Sequence, residues 1–367
     1  MIFKALETEN LKVINILRMP LMIIVLFGHT VGFDILPVKW AWDFESIYIL
    51  VSEAISHTFS RIVVPSFFVF SGYLFFLKIQ DFTITIYKEQ LRKRIFSLLI
   101  PYLVWNLLML IGILVKVNVF ELFGIPNVEG EDYKNLSIMD IFWNYPLNFP
   151  LWYIRDLICM TLLTPLFYLL FRFLGAFGIL MLIIPYLLNL ETNIPGFSLT
   201  GILFFGIGSF FGLKKLDLII TDHKIGIALI LISMVLIFVC LNRSQYPYYE
   251  QLIRVYAIIG IWAVFYGGYL LSKTNHLSNL LIKTAGSVFF IYAVHEIYII
   301  NWIKGFFARI NTTNDSLLQL MFYFIIPFIC LFICYYLYVY LRRIMPTFIN
   351  LITGNREITL KKNTIKT

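Results

Sequence analysis

The residues of this 367-residue chain that could do chemistry are few, and they sit in apolar surroundings. Arg18 and His29 come first, both within one apolar run near the N-terminus. A charge inside a bilayer costs about 2.5–3.5 kcal/mol on insertion scales, so an ionisable residue there is a candidate for function. The two are eleven residues apart. At ~1.5 Å per residue this is a rise of about 16 Å, and eleven steps of ~100° fall within about 20° of three whole turns. Both side chains therefore leave the helix in the same direction. Arginine keeps its charge and offers a planar fork to phosphate, carbonyl or carboxylate. An imidazole with its ordinary pKa of ~6.5 can take a proton near neutral pH. One reading is a reaction whose substrates arrive from opposite faces, an anionic donor at Arg18 and an acceptor at His29. The other is that Arg18 snorkels to headgroups and His29 bonds a neighbouring helix.

Four further groups stand out in apolar stretches. Ser71-Gly72 combines a hydroxyl with a residue that permits close backbone approach, and such pairs also serve plain helix packing. Arg92-Lys93-Arg94 is a basic run able to meet phosphates, or a simple marker of the cytoplasmic face. Arg155 and Asp156 follow Trp152 and Tyr153. Neighbouring helix positions point ~100° apart, so the two charges are expected to find partners elsewhere. His295-Glu296 is a second polar pair at mid-depth, in which His295 bonds the acceptor, orients His29, or is a satisfied interior histidine. His57, His223 and His276 fall in loops or interfaces and carry no signal.

The elements that must position these residues are helices in a membrane. The chain is 60% apolar and 14% charged, with a mean hydropathy of +0.84, whereas soluble domains run near 45–50% and about 25%. No polar stretch is long enough for a second, soluble domain, and unbroken apolar runs do not fit the alternation of a β-barrel. The fold class is all-α, a polytopic transmembrane bundle. Apolar windows give about ten spans, near 11–32, 61–79, 95–116, 152–172, 174–190, 197–213, 224–241, 253–272, 285–303 and 317–341. Residues 33–60 and the acidic stretch 117–150 fall outside the membrane. Of the 29 Lys and Arg, nineteen lie on one set of connecting segments and eight on the other, so both termini are expected in the cytoplasm. The net charge of +8 marks that face and not a nucleic-acid partner. Residues 1–345 read as one transmembrane domain and 346–367 as a basic, disordered tail. Without a cleavage site after it, the first span is expected to stay on the mature protein. Cys159, Cys240, Cys330 and Cys334 lie in apolar segments without metal-ligand spacing, so neither a disulfide framework nor a metal site is expected.

Five segments in order resemble the membrane acyltransferase 3 family. Arg18 to His29 matches its Arg-x10-His signature, and Pro65-Ser-Phe-Phe-Val-Phe-Ser-Gly-Tyr-Leu74 its second-helix segment. Arg92-Lys-Arg-Ile-Phe-Ser-Leu-Leu-Ile-Pro-Tyr102 resembles the basic start of its third helix, Leu151-Trp-Tyr-Ile-Arg-Asp-Leu157 its fourth, and Ile291-Tyr-Ala-Val-His-Glu296 a late helix. The resemblance spans residues 10 to about 341. It implies an integral-membrane O-acyltransferase of the cell membrane that moves an acyl group from cytoplasmic acyl-CoA to a hydroxyl of an envelope sugar or lipid-linked glycan. Acetyl, from acetyl-CoA, is the default acyl group. No cofactor is tightly bound, acyl-CoA being a co-substrate, and membrane lipids are the other partner. On this reading His29 is the general base. Arg18, Ser71, Arg92, Lys93 and Arg94 face acyl-CoA, and Trp152, Tyr153, Arg155, His295 and Glu296 face the acceptor. Relatives often carry a second basic residue three positions after the match to Arg94. Here it is Ser97, which shifts phosphate contacts to Arg92 and Lys93 or weakens them. The competing class is a transporter or flippase of lipid-linked sugars, which would show broken helices in matched halves. A larger unrelated class of membrane acyltransferases, built on one late histidine, and a structural export subunit fit less well. The sequence assigns no oligomeric state.

Overall fold

The computed structural model describes residues 2–32, 34–79, 81–124 and 137–355, with side chains from residue 9 onward. Its helices are α1 (Ile2–Gly28), α2 (Phe44–Ser52), α3 (Val63–Phe76), α4 (Ile84–Arg94), α5 (Ile100–Leu122), α6 (Trp152–Leu162), α7 (Thr164–Leu174) and α8 (Phe177–Leu187). They continue as α9 (Leu199–Lys214), α10 (His223–Asn242), α11 (Tyr249–Ser272), α12 (Asn275–Thr284), α13 (Val288–Val294), α14 (Ile300–Ile310), α15 (Ser316–Ile344) and α16 (Pro346–Thr353). There is no strand among the described residues.

Seven helical stretches of the described chain are long and apolar enough to span a bilayer, or eight if one bent pair counts as a span. The difference from ten windows has physical causes. Helix α8 has 11 residues, about 16 Å of rise, and α9 has 16, about 24 Å, both short of the ~30 Å of hydrocarbon. The window at 152–172 is α6 and α7, bent by 58° at Leu163. Pro165 has no N–H to give the Thr161 carbonyl, and the Thr164 hydroxyl supplies that hydrogen bond at 2.8 Å. Residues 44–60, expected outside the membrane, belong instead to a helical path running unbroken from Phe44 to Phe76. It passes through a π-helical turn, Glu53–Thr58, and a 3₁₀ turn, Phe59–Ile62. The interval 33–60 held charged and aromatic residues that lowered its apolarity, yet Glu53 is buried and satisfied there. Glu53 accepts from the Leu36 N–H at 2.8 Å and pairs with His57 Nδ1 at 2.9 Å, while His57 Nε2 meets the Gly32 carbonyl at 2.9 Å.

The tail also differs from expectation. Residues 346–353 form α16, with Ile349, Ile352 and Thr353 buried, and the Trp105 indole donates to the Ile352 carbonyl at 2.9 Å. The rest of the expected disordered tail, residues 356–367, lies outside the described residues, as do residues 125–136 of the acidic stretch. The four cysteines are free and buried.

Helices α3 and α9 form the closest contact of the bundle. A Cβ on Gly72 would stand 2.2 Å from the Phe205 carbonyl oxygen, and one on Gly208 2.1 Å from that of Val69. Small residues let the two backbones touch, which is how helices associate where lipid removes the hydrophobic drive. At one end of the bundle Lys12 donates to the Ser272 carbonyl at 2.7 Å and Asn10 to Asp217 at 2.9 Å. Helix α1 runs from that end to His29 at the other.

Gly208→Ala should therefore destabilise the fold at the upper end of the about 1–3 kcal/mol seen for overpacked interiors. Gly267→Ala, where nothing lies within 4 Å of the added carbon, should be neutral or mildly stabilising. Thermal inactivation of the detergent-solubilised protein, read by size-exclusion monodispersity, separates the two; equal midpoints would contradict the packing argument.

Candidate active site

The end of α1 is held by side chains from three directions. A helix leaves its last carbonyls without intrahelical donors. Here the Thr30 hydroxyl donates to Leu26 O at 2.9 Å, the Ser56 hydroxyl to Phe27 O at 2.7 Å, and Lys304 to His29 O at 3.0 Å. A cation at the negative end of a helix is favoured by the aligned peptide dipoles. His29 thus stands at a fixed point, half-buried.

Facing it is a break in another helix. After α13 the chain passes through His295–Ile299, where Ile297 has ψ 73° and Tyr298 has φ 61°. A left-handed conformation is costly for a bulky residue and persists where the surroundings over-determine it. Because of this turn, Glu296 faces His29, its Oε2 lying 3.4 Å from His29 Nδ1. His295 is fully buried, with its ring centroid 5.0 Å from that of His29. Its Nδ1 meets the Ile291 carbonyl at 3.1 Å, which turns Nε2 toward Glu296 at 3.9 Å. Among the described residues, neither His295 Nε2 nor Glu296 Oε2 has a hydrogen-bond partner. The donor atoms of His29, His295 and Glu296 all lie within 4.8 Å of one another, a spacing able to hold a metal ion. Two imidazoles and a carboxylate would suit zinc. The expectation of no metal was made from cysteine and histidine spacing in sequence, which cannot show such a cluster.

A second cluster lies around Arg18, eleven residues before His29 on α1. Arg18 is half-buried, and among the described residues its guanidinium has no hydrogen-bond or ion-pair partner; the nearby polar group is the Tyr153 hydroxyl. Arg94 approaches the same hydroxyl and packs over the Phe75 ring at 5.7 Å, with its Nε buried and unpaired. The Ser71 hydroxyl is tied to the Phe67 carbonyl at 2.8 Å and reaches Tyr153 Oη at 3.4 Å. The basic run is therefore divided: Arg94 turns inward while Arg92 and Lys93 are exposed. Ser97, where relatives often carry a base, lies against Gly354 just beyond α16.

Tyr153, expected at the acceptor, belongs to this arginine cluster and joins it to the histidines. Its ring lies 6.2 Å from Tyr292, and Tyr292 lies 6.3 Å from His295. Trp152 is half-buried against the core. Arg155 and Asp156, expected to seek separate partners, bind each other: Arg155 Nε and Nη2 donate to Asp156 Oδ1 at 3.1 and 2.9 Å. The ~100° rule describes Cβ directions, and a long arginine side chain can fold back past it. The same guanidinium donates to the carbonyls of Trp143 and Asn144 at 2.8 and 3.0 Å, so it anchors backbone and does not line an open surface.

That stretch runs from a π-helical turn, Asp140–Asn144, through an irregular link at 145–148 to a 3₁₀ turn, Phe149–Leu151, and side chains satisfy it from several sides. Asn106 accepts from the Asn148 N–H at 3.2 Å, Asn148 donates to Ala293 O at 2.8 Å, Tyr102 donates to Phe142 O, and Tyr292 to Pro150 O. Irregular chain at membrane depth is tolerated only where protein pairs it.

A family model described as an acyltransferase domain matches residues 11–339. The chain belongs to the acyltransferase 3 family. It is a multi-pass membrane acyltransferase. This family member is 27% identical over 309 residues to the succinoglycan biosynthesis protein ExoH of Rhizobium meliloti (strain 1021), covering 81% of this chain and 80% of that protein. No solved structure matches the acyltransferase.

Asp156 is 1% exposed and compensates the arginine that holds residues 143 and 144. Asp156→Ala should cost about 3 kcal/mol, the low end for breaking a buried pair. The thermal midpoint of the purified enzyme should fall accordingly, and an unchanged midpoint would show that Arg155 is held by the two carbonyls alone.

Proposed function

We propose that this protein is an O-acyltransferase that moves an acyl group, by default acetyl, from cytoplasmic acyl-CoA to a hydroxyl of an envelope polysaccharide or its lipid-linked precursor. The observation that carries the reading is the column from Arg18 and Arg94 through Tyr153 and Tyr292 to His295, Glu296 and His29. An extended pantetheine arm laid along it would leave its phosphates at two arginine forks and its thioester beside the imidazole. Arginine suits the first end because its planar donors match phosphate oxygens. The relative named for succinoglycan biosynthesis supports a polysaccharide as the acceptor.

With Nδ1 turned to Glu296, His29 Nε2 is the nitrogen left for substrate. It takes the proton of the acceptor hydroxyl as the oxygen bonds to the thioester carbon. The carbon–sulfur bond then breaks, and the imidazolium returns the proton to the departing thiolate. The products are an ester and free CoA. Glu296 acts through His29, holding the ring and stabilising the imidazolium, as an orienting carboxylate does for a general base. The excess of Lys and Arg on the segments at the N-terminal end supports entry of acyl-CoA from the cytoplasm, with His29 near the opposite face.

Radiolabelled acetyl-CoA and the host polysaccharide test the reading in sealed inside-out vesicles. Label supplied in the bath should appear on glycan inside the lumen, whereas a flippase would move sugar without attaching label. His29→Ala and His29→Gln should both lose transfer at normal protein levels, since an amide holds a hydrogen bond but accepts no proton. Glu296→Gln should lower kcat by about 10–100-fold with little change in KM, a modest share of the 10²–10⁴ that general-base catalysis supplies. Arg18→Lys and Arg94→Lys should raise the KM for acyl-CoA, while Arg92→Ala and Lys93→Ala change it less than threefold, roughly 0.6 kcal/mol. Equal effects at all four basic positions would argue for a diffuse surface charge and against a built donor site.

A further inference from the structure

A cavity of about 260 Å³ opens next to the His29 turn, and its lining includes none of the arginine-cluster residues Arg18, Ser71, Arg94 or Tyr153. It lies between the Tyr48 turn of α2, helix α14 and the first turns of α15, and its lining includes Thr30, Tyr48, Lys304, Phe307, Gln319 and Phe322. Two of these residues tie it to the site. Thr30 follows His29 in the chain, and Lys304 holds the His29 carbonyl at 3.0 Å.

Its chemistry is divided between a ring surface and free polar groups. Phe307 and Phe322 lie 4.5 Å apart, centroid to centroid. Among the described residues, neither the Gln319 side-chain amide nor the Tyr48 hydroxyl has a hydrogen-bond partner, though both line the cavity. Lys304 spends one N–H on His29 and keeps two more. Asn311, also in the lining, is by contrast locked to the backbone of Asp315 at 2.9 and 2.8 Å, so it shapes the wall and is not free to read a ligand. An aromatic wall of two rings tilted by 49°, opposite amide, phenol and ammonium groups, is complementary to a sugar ring, which has an apolar C–H face and an edge of hydroxyls. The volume is smaller than the roughly 300 Å³ at which pockets for larger ligands begin. It suits one sugar residue, with the rest of a polymer outside.

We propose that this cavity seats a single sugar residue of the acceptor glycan, with its C–H face on Phe307 and Phe322 and its hydroxyl edge on Gln319, Tyr48 and Lys304, so that a neighbouring hydroxyl is presented to His29. The proposal rests on the acyl-transfer reading above and places the acceptor in a cavity whose lining includes none of Trp152, Tyr153 and Arg155. It also makes position specificity a property of α14 and α15, because their side chains fix which hydroxyl faces the imidazole.

The test uses the full-length protein in nanodiscs and the host's isolated extracellular polysaccharide. Binding is read by saturation-transfer NMR, which needs no turnover, and acylation by the mass added to the glycan. Wild type should saturate sugar ring protons. Ala308→Trp, placed in the cavity wall, should abolish both that saturation and transfer, while retention of labelled acetyl-CoA stays within twofold. Because a tryptophan can disturb folding, Tyr48→Phe with Gln319→Ala is the second arm. It should raise the KM for polysaccharide at least tenfold and leave that for acyl-CoA unchanged. Equal saturation in wild type and Ala308→Trp, or equal shifts of both KM values in the double variant, would overturn the assignment. Saturation that Ala308→Trp removes, in a wild type that transfers no label, would keep the cavity as a sugar site and refute acyl transfer instead.

Discussion

Backbone that leaves the helix inside a bilayer has to find its hydrogen bonds within the protein, because no water is there to supply them. The site is built at places where this protein meets that requirement. Helix α1 ends at His29 because Thr30, Ser56 and Lys304 take up the terminal carbonyls. The chain near residue 148 runs irregularly between helices because Asn106, Tyr292 and Arg155 pair it. The helix carrying His295 breaks at Tyr298, and the break aims Glu296. In the first two cases polar side chains serve the backbone, Arg155 among them, and some of the groups left over face one another. His29, His295 and Glu296 are what remains once the structural bonds are assigned.

The same accounting separates two kinds of buried arginine. Arg155 has a carboxylate and two carbonyls, so its charge is compensated and its geometry fixed. Among the described residues Arg18 has neither, and Arg94 keeps an unpaired buried Nε. Holding an uncompensated guanidinium at this depth is expensive. The cost is reasonable if an anion arrives to pair with it, and two arginines within electrostatic range of one phenol support the donor site proposed above. Free charge here is therefore better evidence of a ligand than charge engaged in a bridge.

How much of this could be read from the sequence follows from which interactions are local. The common direction of Arg18 and His29 is an expectation of helical periodicity alone; the neighbours are Tyr153 of α6 for Arg18 and His295 and Glu296, just after α13, for His29. The pairing of Glu296 with His29 was not legible, since it depends on a break that hydropathy does not register. The same blindness inflated the span count, because apolar windows at 152–172 and 174–190 report composition and not the bend at Leu163 or the shortness of α8. Glu53 and His57 carried a readable signal, a charged pair at i and i+4, which the low apolarity of residues 33–60 obscured. Arg155 and Asp156 misled in the other direction, because a rule about Cβ vectors was applied to a side chain long enough to curl back. The cavity beside His29 draws on three separate elements, and no local pattern could have assembled it.

On the acyl-transfer reading proposed above, one helix carries both ends of the chemistry. A donor with a charged head and a reactive tail has to be bound at two depths, and a rigid rod is the simplest way to keep those depths constant. The Arg-x10-His spacing is such a rod, with a rise of about 16 Å fixed by helix geometry. Pro20 lies between the two residues, where its missing N–H would ordinarily let a helix bend. The rod stays anchored nonetheless: Lys12 grips Ser272 toward one end, and three donors grip the other. Distance along α1 is then set by covalent geometry, while most of the side chains that line the cavity are carried by α2, α14 and α15. Acceptor preference can change on α14 and α15 without moving His29 relative to Arg18, which separates the choice of substrate from the alignment of the reaction.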